Sequence, residues 1–314
     1  MIRRIAVIIP ACNEEDRVGR CLESVAGAIA GLGHDPSFAR SEWASADDVA
    51  GPAPGTSRID AMPPLWGAPR GVGTGDVEVT VVLAADGCTD RTVERARQAW
   101  AVSNRDGGRA RLEIVSGQWH SAGGARAAAA RQALAASDPE WIASTDADTV
   151  VPENWLRYQV QRAGAGVDAI LGTVEPDPTE CPPHVYELWQ REHTLVESHP
   201  HIHAANMGVR ASFYEHTGGF PPLACSEDEA LLAALHRVGA RVEATDRIRA
   251  VTSGRLEGRA ELGFAHHLRT LSLPREESEW RAPASPIAKT LEGPPSPVAN
   301  VETISIVNQE VCHE

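Results

Sequence analysis

The sequence has few basic residues and a single lysine, and each shortage excludes a class of function. Its 29 lysines and arginines stand against 43 aspartates and glutamates, which gives a formal net charge of −14. Binding to nucleic acid and to anionic membranes depends on clustered basic residues, so we expect neither partner. Lys289 is the only lysine, which argues against Schiff-base chemistry and against a Walker-type phosphate loop in the main body.

Informative cysteine pairs and long apolar runs are also lacking. The six cysteines are scattered and form no CxxC pair, a spacing unlike that of zinc fingers or disulfide-bonded domains, which favours reduced thiols and a cytoplasmic location. No run of about 18 apolar residues is present, so we expect no integral membrane segment. Acidic residues directly follow the apolar run after Arg4, which favours a buried strand over a signal peptide.

Strands and helices alternate through the first half of the sequence. Short β-branched and apolar runs are typical of buried strands, and the segments between them repeat apolar residues at helical spacing. The alternation predicts a single α/β domain with a mostly parallel central sheet flanked by helices, and ligands that bind beyond the carboxyl ends of the strands. The predicted strands are 5–9, 77–83, 112–115 and 141–144, and the predicted helices are 18–29, 90–102, 122–136 and 152–163.

Two segments lack any sustained period. Residues 34–76 are rich in proline, glycine, alanine and serine and indicate an insertion in a connection, with a substrate lid as the alternative. Residues 273–314 are rich in proline and acidic side chains, so we predict a C-terminal tail after a domain that spans 1–272. Between them, the sequence predicts helices at 183–197 and 227–238, a strand at 201–210 and a short strand at 241–244.

The most informative motif is Asp146-Ala147-Asp148, directly after a predicted buried strand. Two carboxylates on either side of one residue suit Mg²⁺ or Mn²⁺, which take oxygen ligands and bridge to phosphates. The alternative is that aspartate after a strand serves turn formation alone.

A second motif, Asp86-Gly87-Cys88-Thr89-Asp90, follows another predicted strand and enters a helix. Free backbone N–H groups at a helix start suit the polar groups of a nucleotide, and Asp86 can accept hydrogen bonds from a base or ribose. An ordinary capping loop is the alternative.

A third motif, Glu227-Asp228, opens a predicted helix. A carboxylate beside a cleft can act as a general base if it reaches the proton that it removes. The alternative is that both acids stabilise the helix through its dipole.

In combination and in this order, the motifs resemble those of family 2 glycosyltransferases. The opening strand with Pro10, Asn13 and Glu14 resembles the start of that family, and the Asp86 turn is close to its Asp-Asp-Gly-Ser-x-Asp-x-Thr. The Asp-x-Asp motif matches at 146–148. Further matches follow in the family's order at 205–210, 218–220 and 227–231, so the resemblance covers roughly residues 3–270 apart from the insertion.

The resemblance implies a GT-A fold, a nucleotide-diphosphate sugar donor, most simply a UDP- or GDP-sugar, and transfer with inversion to an acceptor hydroxyl that the sequence does not identify. It further implies Mn²⁺ or Mg²⁺ on the donor diphosphate and Asp228 as the catalytic base, with Glu227 beside it. The residues that it assigns to the nucleotide-sugar site are Pro10, Ala11, Asn13, Glu14, Asp86, Asp146 and Ala147, with Asp148 and Asp146 as metal ligands and Asn206 and Gly219 on the acceptor side.

The sequence departs from the family pattern in two places. Ala85 stands where the family often has the first aspartate of its turn, and no Gln-x-x-Arg-Trp motif of processive members is present. We therefore expect transfer of one sugar. The alternatives are a nucleotidyltransferase, although the Pro10–Glu14 loop lacks the glycines and basic residue of that class, and a nucleotide-sugar-binding protein without catalysis.

Several histidines and arginines have more than one interpretation. His199, His201 and His203 would share a face of a strand, which suggests polar lining of the acceptor cleft, with a zinc site as the alternative. His266 is a candidate late metal ligand. Arg126 is a candidate nucleotide contact, as Arg255 or Arg259 is for the diphosphate, since guanidinium groups pair with phosphates; Trp155 and Trp189 are predicted to pack in the core.

Overall fold

The computed structural model describes residues 2–33, 77–104, 110–258 and 263–273. The predicted insertion at 34–76 and the predicted tail beyond 273 lie outside the described residues, as does Arg259. The strands are β1 (Arg4–Ala11), β2 (Glu78–Asp86), β3 (Ala110–Gly117), β4 (Trp141–Ser144), β5 (Thr149–Val150), β6 (Ala169–Pro176), β7 (Met207–Arg210) and β8 (Val242–Thr252). The α-helices are α1 (Val18–Ala30), α2 (Thr92–Ser103), α3 (Ala122–Ser137), α4 (Trp155–Gly164), α5 (Pro183–Glu192), α6 (Ala211–Thr217), α7 (Glu227–Arg237) and α8 (Phe264–Leu271).

All eight described strands join one sheet in the order β3-β2-β1-β4-β7-β6-β8-β5. Strands β3, β2, β1 and β4 are mutually parallel, as the alternating pattern predicts. Strand β7 runs antiparallel to both β4 and β6, and β6 and β8 are again parallel. The prediction of an α/β domain with a mostly parallel sheet flanked by helices is confirmed.

The core lies on both faces of the sheet, and β1 shows how the sequence divides between them. Its Ile5, Val7 and Ile9 pack on the face covered by α1, while Ala6 and Ile8 pack on the face covered by α3. This is the two-residue alternation of a strand that is buried on both sides. The alanines of α3 lack bulk, so this helix lies close against β1 and β2.

Four elements have no clear signal in the sequence: β5, β6, α6 and α8. In β6 the apolar run is interrupted by Gly172, where a Cβ would lie 2.2 Å from the side-chain nitrogen of Asn206. Gly172 is thus required by the close approach of the Asn206 side chain. Because it interrupts the apolar run, the sequence pattern does not indicate a strand here. Strand β8 is likewise much longer than the predicted 241–244, because charged residues on it find ion-pair partners.

Two predicted boundaries were wrong. The helix expected over 183–197 ends at Glu192, because His193 has extended backbone angles. The strand expected over 201–210 occupies only Met207–Arg210. Among the described residues, no helix has both the length and the apolar composition that crossing a membrane requires.

Candidate active site

The acidic motifs come together at the carboxyl edge of the parallel strands. Ala11 near the end of β1 lies opposite Ala85 of β2, and Ser144 at the end of β4 lies opposite Ile8 of β1. The loops that follow these strands therefore leave the sheet at one edge, where the ligands of open α/β sheets bind. Asp86 ends β2 and Asp146-Ala147-Asp148 follows β4.

Asp148 belongs to an ion-pair cluster centred on Arg255. Nη2 of Arg255 donates to Oδ2 of Asp148 at 2.9 Å, and its two terminal nitrogens also contact both carboxylate oxygens of Glu14 at 2.6 and 2.9 Å. Burial, followed by the negative charge of Asp146, raises the pKa of Asp148 to about 6, against the opposing effect of Arg255. The site thus holds more negative charge than Arg255 neutralises.

Asp146 belongs to a second cluster, in which Arg126 of α3 bridges two carboxylates. One terminal nitrogen of Arg126 contacts Oδ1 of Asp146, and the other contacts Oε1 of Glu227, the first residue of α7. Arg126 is 3% exposed, and its guanidinium lies 5.8 Å from the centre of the Phe220 ring. Burial raises the pKa of Glu227, while the charge of Arg126 opposes that rise.

Asp228 follows Glu227 and is partly exposed. Its Oδ2 accepts a hydrogen bond from the backbone N–H of Ala204 at 3.0 Å, and its Oδ1 accepts one from the N–H of Glu229 at 2.9 Å. The carboxylate is therefore oriented by two backbone donors while part of it faces solvent. This arrangement is compatible with a proton acceptor.

The predicted nucleotide residues are held by hydrogen bonds between the loops. Asp86 is 8% exposed and accepts from the backbone N–H groups of Trp119 at 2.6 Å and His120 at 3.1 Å. Asn13, at a positive φ of 51°, accepts from the N–H of Thr89 at 2.7 Å. These contacts join the loops after β1, β2 and β3, and they leave direct nucleotide contacts by Asp86 and Asn13 as predictions.

The other assigned residues of the donor side lie in the same region. Pro10 and Ala11 end β1, and Ala147 is 2% exposed between the two aspartates. Glu14 is 6% exposed, and its backbone N–H donates to Oγ1 of Thr92 at 2.7 Å. Their contact with a nucleotide stays a prediction.

The residues at this edge fit a divalent ion in their donor chemistry. Asp148 offers carboxylate oxygens next to the negative charges of Asp146 and Glu14. A hard divalent cation would reduce the repulsion among these carboxylates. Among the described residues, no group of three or more ligating side chains surrounds a single point. Asp148, with Asp146 beside it, therefore suits an ion that takes its remaining ligands from phosphate and water, as Mg²⁺ commonly does.

The two residues predicted on the acceptor side are engaged within the protein. Asn206 is fully buried, donates to the carbonyls of Thr173 at 2.8 Å and Ile248 at 2.6 Å, and accepts from Nε1 of Trp155 at 2.8 Å. Gly219 has a φ of +72°, and a Cβ there would lie 2.5 Å from the Tyr214 ring. Their place on the acceptor side stays a prediction.

The histidines form a stack of rings rather than a converging set of ligands. His193 stacks on Trp189 with ring centroids 4.7 Å apart and on His201 at 5.3 Å, and His201 stacks on His199 and His203 at 5.6 and 6.2 Å. His266 lies on α8 with its Nδ1 3.0 Å from Nη2 of Arg269, and its role as a metal ligand stays a prediction. Trp155 and Trp189 are buried in the core, as expected.

Two contacts at the site have no local signal in the sequence. Arg126 and Glu227 are 101 residues apart, and Arg255 and Glu14 are 241 residues apart. Each arginine could be recognised as a candidate for binding negative charge. Its carboxylate partners, however, are selected by the packing of the helices and loops.

Fold and site define an α/β protein with acidic residues at the edge of the sheet where its parallel strands end. Residues 76–212 of the chain match the family model described as glycosyl transferase family 2. The match includes Asp86, Asp146 and Asp148 but ends before Glu227 and Asp228.

Solved structures resemble the fold at low sequence identity. S. aureus TarS 1–349 in complex with UDP-GlcNAc shares 14% identity with a TM-score of 0.51 over 85% of this chain and 65% of that one. The mannosyltransferase PcManGT from Pyrobaculum calidifontis, in complex with GDP-Man and Mn²⁺, shares 19% identity with a TM-score of 0.49 over 86% of this chain and 61% of that one. The chain thus spans less than two thirds of either structure, and no curated protein sequence matches it.

Proposed function

We propose that this protein is an inverting glycosyltransferase that moves one sugar from a UDP- or GDP-sugar to an acceptor hydroxyl, with a divalent ion and with Asp228 as general base. The observation that carries the proposal is the Arg126 bridge, which brings the Asp146-Ala147-Asp148 turn and the Glu227-Asp228 helix start to one place. Donor-side and base-side carboxylates are thereby neighbours, as a single displacement requires.

On the donor side, the loops after β1 and β2 would receive the nucleotide. Pro10, Ala11 and Asn13 offer backbone at the sheet edge, and Asp86 holds the loop that leads into α3. Arg255, which is paired with Glu14 and Asp148, would help to neutralise a diphosphate.

Asp148 and Asp146 would hold Mn²⁺ or Mg²⁺. Such an ion supplies charge stabilisation for the nucleoside diphosphate that leaves when the sugar–phosphate bond breaks. The two carboxylates would supply oxygen ligands to the ion, and the side chain of Asp148, 17% exposed, remains partly accessible at the sheet edge.

On the base side, the acceptor oxygen forms its bond to the anomeric carbon on the face opposite the leaving diphosphate, and its proton passes to Asp228. Backbone N–H groups from Ala204 and Glu229 hold this carboxylate in place. The scattered cysteines, which form no CxxC pair, support a cytoplasmic location for the reaction.

Substitution of the base tests the proposal. Asp228→Asn keeps the shape of the side chain and removes its basicity, so we expect kcat to fall by about 10²–10⁴-fold with donor binding retained. The matched control is Glu229→Gln, an exposed neighbour on the same helix turn. Donor turnover would be followed by release of nucleoside diphosphate from UDP-GlcNAc and GDP-mannose with a panel of hydroxyl acceptors.

Three outcomes would contradict the proposal. Equal losses in both variants would remove Asp228 as the base. In a second assay with a nucleoside triphosphate and a sugar 1-phosphate, release of pyrophosphate would indicate a nucleotidyltransferase. Tight donor binding without any product from the native chain would indicate a binding protein.

A further inference from the structure

Arg126 is the described side chain that contacts both halves of the candidate site. Its guanidinium contacts Asp146, which follows β4 on the donor side, and Glu227, which precedes the proposed base. We propose that Arg126 is a positioning residue that fixes the base-bearing start of α7 relative to the donor-side aspartates. The inference rests on the proposed function and assigns to Arg126 a role other than nucleotide binding.

The environment of Arg126 is that of an internal bridge. The residue is 3% exposed, and its guanidinium lies against the Phe220 ring. Both terminal nitrogens are engaged by carboxylates of the chain itself. A planar guanidinium can hold two carboxylates at a set angle and separation, which the point charge of a lysine cannot do.

Packing of the loop before α7 brings Glu227 to Arg126. At Gly123, one helical turn before Arg126, a Cβ would lie 2.4 Å from the carbonyl oxygen of Pro221 and 3.0 Å from the Cβ of Glu227. The absence of a side chain at Gly123 therefore lets the loop pack against α3. Ser226, with a φ of 58°, then turns the chain into α7.

The position of Asp228 follows from these contacts. Its backbone is continuous with Glu227, which Arg126 connects to Asp146, and Asp146 is fixed by the end of β4. A displacement of about 1 Å at a reacting group can lower a rate by about 10²-fold. Loss of the bridge should therefore reduce the rate of the chemical step more than it weakens donor binding.

The alternative is that Arg126 leaves its carboxylates and binds the donor diphosphate. In that case its removal would weaken donor binding and raise KM for the donor. A positioning role instead lowers kcat at nearly constant KM, because the contact acts on the geometry of the transition state. The two roles thus differ in the kinetic constant that changes.

The test compares the full native chain with Arg126→Gln, Arg126→Lys and Glu227→Gln. The assay measures kcat and donor KM with UDP-GlcNAc or GDP-mannose, whichever the native chain turns over, and calorimetry measures binding of UDP and GDP with Mn²⁺. We expect Arg126→Gln to lower kcat by about 100-fold or more with donor KM changed by less than about 3-fold. Arg126→Lys should recover part of that loss, and Glu227→Gln should lower kcat in the same direction.

Arg131→Gln is the matched control, since Arg131 is an exposed arginine on the same helix. If Arg126→Gln does not fold by circular dichroism, Arg126→Lys and Glu227→Gln decide the matter, because the first keeps the buried charge and the second keeps Arg126. A tenfold rise in donor KM at constant kcat, or native constants in these variants, would overturn the inference. An inactive native chain would be recognised separately, because it would contradict the proposed function itself.

Discussion

At the scale of single residues, polar side chains of the matched motifs are hydrogen-bonded within the protein. Asp86 accepts from two backbone N–H groups, and Asn206 makes three hydrogen bonds at full burial. Such residues build the frame on which substrate contacts depend. A motif in the sequence therefore includes supporting residues as well as those that meet the ligand.

Asn206→Ala tests the supporting role of this asparagine. The substitution leaves Nε1 of Trp155 and the carbonyls of Thr173 and Ile248 without their partner, so we expect the free energy of unfolding to fall by about 3–5 kcal/mol. Urea denaturation measures the change. The control is Asn154→Ala, which removes one partly exposed hydrogen bond to the Arg247 carbonyl and should cost less than about 1 kcal/mol; equal costs would contradict the prediction.

At the scale of elements, the start of α3 depends on small residues. Ser121 caps the helix by accepting from the N–H of Gly124, and Gly123 admits the loop that precedes α7. The Ala- and Gly-rich composition of this helix is thus linked to the geometry of the site. Small side chains let α3 contact the sheet on one side and the α7 loop on the other.

Gly123→Ala should be destabilising although alanine favours helices. Its Cβ would overlap the Pro221 carbonyl, and overpacking of this kind costs about 1–3 kcal/mol. Gly27→Ala in the interior of α1 is the matched control: its Cβ meets nothing within 4 Å, so we expect a gain of about 0.5–1 kcal/mol. Thermal or urea unfolding of both variants checks the difference, and a stabilised Gly123→Ala would refute the close packing.

The histidine stack between α5 and α8 predicts sensitivity to acid. Burial, followed by the charges of neighbouring histidines, lowers the pKa of His203 to about 3, and burial also lowers the pKa values of His193, His201 and His267. A depressed histidine pKa contributes stability above the unfolded value of about 6.5, and that stability is lost as pH falls towards the folded value.

For His203 alone, this loss amounts to about 2 kcal/mol between pH 7.5 and pH 5. Urea denaturation at pH 5, 6 and 7.5 measures it. His203→Gln should show a smaller decrease over the same range, whereas an exposed control, His236→Gln on α7, should match the native chain. An equal decrease in the free energy of unfolding for the native chain and for His203→Gln would contradict the assignment of this loss to His203.

At the scale of the whole molecule, ligand binding should raise the stability of the native fold. We expect one nucleoside diphosphate among UDP, GDP and ADP, with Mn²⁺, to add about 2.7 kcal/mol at 100 times its dissociation constant. That gain corresponds to a rise in Tm of about 5 °C. Differential scanning fluorimetry, with CMP and dTDP included, measures the shift.

Chelation by EDTA and the substitution Asp148→Ala should each remove the Mn²⁺-dependent part of that shift. Glu153→Gln, at an exposed acid, is the control that should keep it. A shift of equal size without metal would favour neutralisation of the diphosphate by Arg255 over a divalent ion. No shift with any nucleotide would contradict the proposed donor site.

The local sequence determined the parallel half of the sheet and the position of its ligand-binding edge. The strands β1, β2 and β4 are compact apolar runs. Buried strands of this kind can be recognised from a few consecutive residues, because both of their faces are apolar. The same holds for the acidic motifs, whose place after a strand follows from chain order. Strand β6 was not predicted, because Gly172 interrupts its apolar run. That glycine is required by the side chain of Asn206, which is remote in sequence.

Only the tertiary structure decided which charges meet. Asp146 could have faced a metal, a ribose or solvent, and its contact with Arg126 depends on the packing of α3 against the sheet and of the α7 loop against Gly123. The pairing of Arg255 with Glu14 and Asp148 likewise joins segments that are remote in sequence. Residue types and their order are local properties of a chain, whereas the separation of two charged groups depends on how all the intervening elements pack.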